Sequence, residues 1–174
     1  DETLWVIFNG EIFNYQELRE SLRAAGHRFY TTSDTEVIVH LYEEKGEACV
    51  ESLNGQFALA VWDSTNRTLF LARDRSGIRP LHYTEHGGWL YFASEIKSIF
   101  VNEEIPREID PIALQQVFTF WTTIPGRSIF KNIHELPPGH TMTVRNGNIS
   151  LRKYWDFPFH PPEEHLDWSV RETC

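Results

Sequence analysis

Cysteine is scarce in this sequence. There are two, Cys49 and Cys174. That is too few for the disulfide framework of a small secreted domain, and it favours a reducing compartment. A cytoplasmic location is therefore expected. Positive charge is also in short supply. Sixteen Lys and Arg stand against 25 Asp and Glu, for a net charge of −9. A polyanion is held by clustered cations, so no nucleic-acid partner is expected. No apolar run approaches the roughly 18 residues of a membrane span, and no signal-peptide pattern is present. No membrane partner is expected either. Phosphate-cradling loops of the G-x-G-x-x-G and G-x-x-x-x-G-K-[ST] types are missing, as is a G-x-S-x-G nucleophile elbow. The eight histidines do not cluster as ligands, and with no Cys pair near them no metal is expected. No Ser, His and Asp set stands out as a triad.

What is present has the balance of a soluble globular domain. Over 174 residues, 41% are hydrophobic and 24% charged, enough for one domain with a substantial core. The chain is organised around Val6-Ile7-Phe8-Asn9-Gly10-Glu11. The apolar run Leu4–Phe8 reads as a buried strand, and Asn9-Gly10 reads as a turn ending it. A plain hairpin turn is the simplest meaning. The alternative is chemical. An amide side chain and a sterically open backbone N–H side by side can stabilise an oxyanion, and Glu11 can receive an ammonium.

The following segments alternate helix and strand signals. Asn14 is placed to cap a helix through Ala25, with Glu17 completing a capping box and Gly26 ending it. His27–Thr31 is compatible with a short strand. A second helix follows, Val37–Lys45, with Ser33 or Asp34 as its cap; the Asp34 carboxylate is also a candidate partner for a substrate ammonium. Cys49, among Ala48, Val50 and Leu53, reads as a buried small apolar residue. After Asn54-Gly55, a second turn signal, Gln56–Asp63 and Thr68–Asp74 form a hairpin. Both strands are apolar enough to be covered on both faces, which points to a layered α/β sandwich. An ion pair between Arg73 and Asp74 would brace the loop that follows. Leu81–Tyr83 and Trp89–Ala93 form another hairpin, Ser94 caps a short helix, and Asp110-Pro111 opens a helix to about Phe118. A third Asn-Gly pair, Asn146-Gly147, joins two final strands.

Several stretches together resemble a known family. They are Phe8-Asn9-Gly10-Glu11-Ile12-Phe13-Asn14-Tyr15, Thr32-Ser33-Asp34-Thr35-Glu36-Val37-Ile38 and Leu53-Asn54-Gly55-Gln56-Phe57-Ala58. With them go Ala72-Arg73-Asp74-Arg75-Ser76-Gly77-Ile78-Arg79-Pro80-Leu81, Phe92-Ala93-Ser94-Glu95-Ile96-Lys97, Leu136-Pro137-Pro138-Gly139-His140 and Tyr154-Trp155. In this order they resemble the class II, N-terminal-nucleophile glutamine amidotransferase domain of the glutamine-hydrolysing asparagine synthetases. The resemblance implies an α+β fold, a four-layer αββα sandwich, and a cleft where glutamine becomes glutamate and ammonia. It implies that Asn9 and Gly10 form the oxyanion hole and that Glu11 and Asp34 hold the α-ammonium. Arg73 and Asp74 are implied as structural neighbours of the cleft.

The family's nucleophile is an N-terminal cysteine on a strand ahead of the Asn-Gly stretch. Asp1 has neither thiol nor hydroxyl, and neither Cys49 nor Cys174 is placed like that residue. Half of a site is therefore expected, in a domain over residues 1–157 lacking its first segment. Residues 158–174 are expected to be a linker to a C-terminal synthetase domain, and that domain is where ATP and Mg are implied. No cofactor is implied for residues 1–157. Strand edges left open by a missing segment would favour self-association. Two other meanings remain open: a non-catalytic binding module of this fold, or the same domain serving an acceptor other than aspartate.

Overall fold

The computed structural model describes residues 3–158. Its first strand, β1 (Leu4–Ile12), shows why this stretch is extended. Leu4, Val6, Phe8 and Ile12 alternate with Trp5, Ile7, Asn9 and Glu11, and successive side chains of a strand point to opposite faces. The first set packs into the main core, while Trp5 and Ile7 remain exposed. β2 (Gly55–Asp63) pairs antiparallel with β1 in unbroken register, from Leu4 opposite Asp63 to Ile12 opposite Gly55. The expected turn at Asn9-Gly10 is therefore absent. The strand runs straight through it, because apolar alternation continues to Ile12 and the paired register outweighs a local turn preference. Asn54-Gly55 is likewise no hairpin turn, since Gly55 opens β2.

The third Asn-Gly pair does turn the chain. Asn146 and Gly147 adopt φ of 52° and 77° between β7 (His140–Arg145) and β8 (Asn148–Lys153), the two positive φ values of a type I′ hairpin. With β3 (Thr68–Arg73) these strands complete a five-stranded antiparallel sheet, β1-β2-β3-β7-β8. A second, three-stranded sheet has β4 (His82–His86) between β5 (Trp89–Ala93) and β6 (His134–Glu135).

Three apolar clusters glue the layers. Helices α1 (Tyr15–Ala24) and α2 (Asp34–Lys45) cover the outer face of the large sheet over Leu22, Val37, Ile38 and Leu41. The short α3 (Cys49–Ser52) adds Cys49 and Val50 to the same core. Between the sheets lie Ala58, Ala60, Leu71, Leu81, Leu136 and Met142. Beyond the small sheet, α4 (Ile96–Ile99) and the following loop supply Ile99, Phe100 and Ile105. The order helix, sheet, sheet, helix is the expected αββα sandwich. β2 is buried on both faces from Phe57 to Val61, as its continuous apolar run requires. Each fully buried Phe or Leu here stabilises the fold by roughly 1.5–3 kcal/mol.

Local expectations differ at four further points. His27–Thr31 forms no strand. Asn14 makes no capping hydrogen bond. Its amide instead bridges two backbone groups of the segment before β2, donating to Ser52 O at 3.0 Å and accepting from Asn54 N at 2.9 Å. That long-range pair satisfies both ends of the amide, where a cap would use only one. Ser94 does not cap α4; Glu95 stands at that position. α2 begins at Asp34, with Ser33 as the cap accepting from Thr35 N. The helix α5 (Pro111–Phe120) does start as expected, with Asp110 accepting from Ile112 N. No helix among the described residues is long and apolar enough to cross a membrane. The linker expected over residues 158–174 lies, from 159 onward, outside the described residues.

Candidate active site

In an antiparallel pair, alternate residues exchange both backbone hydrogen bonds and those between them point outward. Two bonds set the phase on β1. Ser64 N donates to Thr3 O at 2.9 Å and Phe13 N donates to Asn54 O at 2.7 Å. Odd-numbered residues of β1 therefore bond β2, and even-numbered ones face away. β1 is the outermost strand of its sheet, so the Gly10 N–H points out of an open edge. Phe57, opposite Gly10, agrees: both its backbone groups are taken on the far side by Asp74.

Gly10 is required there. Its φ is +155°, and a Cβ would lie 2.0 Å from Gln56 O and 2.8 Å from Phe57 Cα. Gly55, on the facing strand, is as confined: a Cβ there would lie 2.3 Å from Glu11 O. The two glycines let the backbones close on each other at the end of the ladder, which aims the Gly10 N–H.

Asn9 projects into the cleft between the sheets, a cavity of about 180 Å³ lined by Ile7, Ala58, Ala60, Leu81, Phe92 and Ser94. Its Nδ2 donates to Ser94 Oγ at 2.9 Å. An amide nitrogen carries two hydrogens. One is engaged by Ser94, and the second has no partner among the described residues. Ser94 is placed in turn by His82, whose Nδ1 lies 3.1 Å from the Ser94 carbonyl oxygen. Because a carbonyl only accepts, Nδ1 carries the proton. Burial lowers the His82 pKa, which favours the neutral ring and keeps this tautomer in place. His82 and Ser94 are thus parts of the site that sequence reasoning missed. Asn9 and Ser94 are 85 residues apart, and no local pattern links them.

Asp34 lies at the same open edge. Its Oδ2 accepts from Ile12 N at 3.0 Å, another outward N–H of β1. Gly10 and Ile12 are two residues apart, about 7 Å along a strand, so the Asp34 carboxylate and the Gly10 N–H face the same space. As the first residue of α2, Asp34 also sits where the helix dipole favours a carboxylate. Glu11 projects from the same face of β1 as Asn9, and its carboxylate has no partner among the described residues. The four residues singled out in the sequence thus converge on one end of β1.

A larger hollow, about 570 Å³, lies beside α5 among Asp110, Arg127, Lys131 and His134. It shares no lining residue with the Asn9 cleft, so chemistry and size point to different places. The converging donors and carboxylates decide for the smaller one.

Arg73 and Asp74 do not pair with each other as expected. Arg73 bonds the carbonyls of Gly77, Arg79 and Leu136 at 2.8 Å each and the carboxylate of Glu135 at 2.9 Å. Asp74 accepts from the backbone N–H groups of Phe57, Ser76, Ile78 and Arg79. Side chains this buried take whichever partners satisfy every polar atom, and here those are backbone groups and, for Arg73, also the Glu135 carboxylate. Both residues shape the loop between the sheets behind the cleft, as structural neighbours.

Cys49 is fully buried, and burial pushes its thiol up to about 12. A thiol reagent at neutral pH is expected to leave Cys49 unlabelled in the native protein and to reach it after unfolding. Rapid native labelling of Cys49 would contradict the sealed core around α3.

Residues 1–155 match the glutamine amidotransferase domain family. Two of the curated relatives from Bacillus subtilis cover nearly the whole chain. Its asparagine synthetase [glutamine-hydrolyzing] 3 is 42% identical over 167 residues, covering 95% of this chain and 27% of the relative. Its asparagine synthetase [glutamine-hydrolyzing] 1 is 41% identical over 174 residues, covering 99% of this chain and 27% of the relative. The chain thus spans about a quarter of the length of these proteins. Among solved structures, a glutamine phosphoribosylpyrophosphate amidotransferase from B. subtilis superposes with a TM-score of 0.63 at 22% identity, covering 87% of this chain and 29% of that one. At that identity the likeness supports the sandwich alone. Over residues 1–155, from ahead of β1 to just past β8, this chain belongs to the glutamine amidotransferase domain family.

Proposed function

We propose that this domain binds glutamine and holds its side-chain amide for attack by a thiol, as the ammonia-producing part of a longer asparagine synthetase. The observation that carries the reading is the donor pair. The free hydrogen of Asn9 Nδ2 and the outward N–H of Gly10 are neighbours at one strand end, beside the carboxylates of Glu11 and Asp34. In this reading the thiolate sulfur adds to the amide carbon, and the oxygen becomes an oxyanion between the two donors. The C–N bond breaks, ammonia leaves with the proton released by the thiol, and water hydrolyses the thioester to glutamate. Preorganised neutral donors act strongly here because they need not reorient as charge develops. Asp34 and Glu11 hold the α-ammonium.

The thiol belongs, in this reading, to a segment of the longer protein, because Cys49 is sealed in the core. ATP and Mg²⁺ belong to the remaining length as well, since these residues carry no phosphate-cradling loop. A cytoplasmic location is part of the same proposal, in keeping with the low cysteine content.

Two substitutions in the longer protein test this. Asn9→Ala is expected to lower kcat for glutamine hydrolysis about 100-fold, the loss seen when one oxyanion donor is removed, with little change in KM. Asp34→Asn is expected mainly to raise KM, by ~10-fold or more, because it removes a ground-state contact. Glutamate release is the readout. The 174 residues alone are expected to release none above blank. Full kcat in Asn9→Ala would overturn the role given to the donor pair.

A further inference from the structure

The histidines fall at no metal-ligand spacing in the sequence, yet folding brings two of them together. His27, just past α1, and His40, in the middle of α2, are 13 residues apart with ring centroids 4.9 Å apart. Three ligand-type atoms meet between them. His27 Nδ1 and His40 Nδ1 are 3.1 Å apart, His40 Nδ1 is 2.8 Å from Glu43 Oε2, and His27 Nδ1 is 3.4 Å from the same oxygen. A tetrahedral ion with bonds near 2.0–2.1 Å needs ligand atoms about 3.3 Å apart. The triangle is close to that size without any movement.

The outer nitrogen of His27 settles which of its ring atoms faces inward as a lone pair. His27 Nε2 lies 2.8 Å from Glu44 Oε1, and His40 Nε2 lies 3.7 Å from Glu36 Oε1. A carboxylate only accepts, so the 2.8 Å contact puts the His27 hydrogen on Nε2 and turns its Nδ1 lone pair inward, while 3.7 Å is too long for a hydrogen bond. His40 Nδ1 faces that lone pair and the Glu43 carboxylate, two acceptors that converge on one point. A proton on His40 Nδ1 or a metal ion satisfies them, and only the ion is held by all three atoms. Carboxylates behind metal-binding imidazoles are also the usual second layer of such sites, fixing tautomer and orientation. The Tyr30 and Thr31 amides and the Thr31 hydroxyl donate to the Glu36 carboxylate and hold it in place beside His40. Phe29 packs edge-on against the His40 ring, with centroids 4.6 Å apart.

We propose that His27, His40 and Glu43 bind a divalent transition ion, zinc in the first instance, with the fourth position left to water. The imidazole and carboxylate set suits zinc, nickel or copper and not calcium or magnesium. Both histidine side chains are largely buried while Glu43 is partly exposed, so the ion enters from solvent on that side. Its effect is structural. It pins the segment after α1 to the middle of α2, the helix that begins at Asp34, and so stiffens the mounting of that carboxylate.

The test uses protein stripped with chelator, then equilibrated with low-micromolar Zn²⁺ and gel-filtered. The wild type is expected to retain about one zinc per chain, and its Tm to rise by ~5 °C, as expected for a ligand bound to the folded state alone. Glu43→Gln, on a helix surface where folding is not at risk, is expected to lose the retained metal. Glu44→Gln is expected to weaken binding ~10-fold, as loss of an outer carboxylate does. Co²⁺ in place of zinc is expected to give the intense visible bands of a tetrahedral site. Equal zinc retention by wild type and Glu43→Gln would mean that the metal is held without this triangle, and no retention by wild type that a proton fills it; either result would overturn the proposal. Neither outcome depends on glutamine turnover.

Discussion

Gly10→Ala is expected to cost about 3 kcal/mol or more of stability and to reduce glutamine turnover by the longer protein to background. The added methyl would stand 2.0 Å from Gln56 O and 2.8 Å from Phe57 Cα. Both are backbone atoms, so no side-chain rotation relieves the clash. The φ of +155° is itself unsuited to an L side chain. β1 must therefore part from β2 at the end of its register, releasing the bonds on either side of Gly10. Overpacking a fitted site costs ~1–3 kcal/mol before backbone strain is added. A domain has only about 5–15 kcal/mol to lose. The same displacement moves the Gly10 N–H and tilts Asn9 away from Ser94, so activity should fall further than stability. Urea unfolding and glutamate release measure the two effects. Gly55→Ala is the matched comparison, clashing with Glu11 O across the same gap. A Gly10→Ala protein with near-native stability and turnover would show that the edge is slack and the donor pair is not preorganised.

The second large effect is expected for Asp74→Asn, although Asp74 touches no part of the cleft. The side chain is 1% exposed. Oδ1 accepts from Ser76 N and Ile78 N, and Oδ2 from Phe57 N and Arg79 N, at 3.0–3.1 Å. An amide presents one oxygen and one NH₂. Whichever way it is turned, two backbone donors then face a donor. Hydrogen bonds to a charged acceptor are worth roughly 1.5–3 kcal/mol each, and a buried donor left unpaired adds its own penalty. The loss of two is expected to lower Tm by ~10 °C or more, at the 2–4 °C per kcal/mol typical of domains this size. The loop concerned also supplies the Gly77 and Arg79 carbonyls that hold Arg73. The junction between the sheets should loosen with it. A Tm within about 2 °C of wild type would mean that water replaces the lost acceptor.

Features that depend on neighbours in the chain were open to reading. The strand at Leu4–Phe8, buried on one face only since Trp5 and Ile7 are exposed, the apolar run through Val61, the Asn146-Gly147 hairpin and the Pro at the start of α5 all appear where expected. Each rests on a preference exerted over a few residues. The ordered motifs from Phe8 to Trp155 likewise pointed to the sandwich and to Asn9, Gly10, Glu11 and Asp34, which the fold brings to one strand end.

Misreadings arose where a distant partner overrode a local preference. Asn9-Gly10 has turn chemistry, but nine paired residues of β2 keep it extended. Asn14 has cap chemistry, but the segment before β2 offers its amide two partners. Ser94 was passed over as a helix cap, while folding places it under Asn9. Arg73 and Asp74 are adjacent, which suggests an ion pair, yet burial gives Asp74 four backbone donors and Arg73 three carbonyls and the Glu135 carboxylate.

By itself, the sequence determined the layers and named the residues at the end of β1, because periodicity and short motifs are written along the chain. Only the tertiary structure decided that the Gly10 N–H faces an open edge, that His82 and Ser94 orient Asn9, and that His27 and His40 meet over Glu43. The physical reason is that a donor's direction is set by the phase of the ladder it joins, and a histidine's partner by which helix packs beside it. Neither is a property of the residue or of its neighbours in sequence.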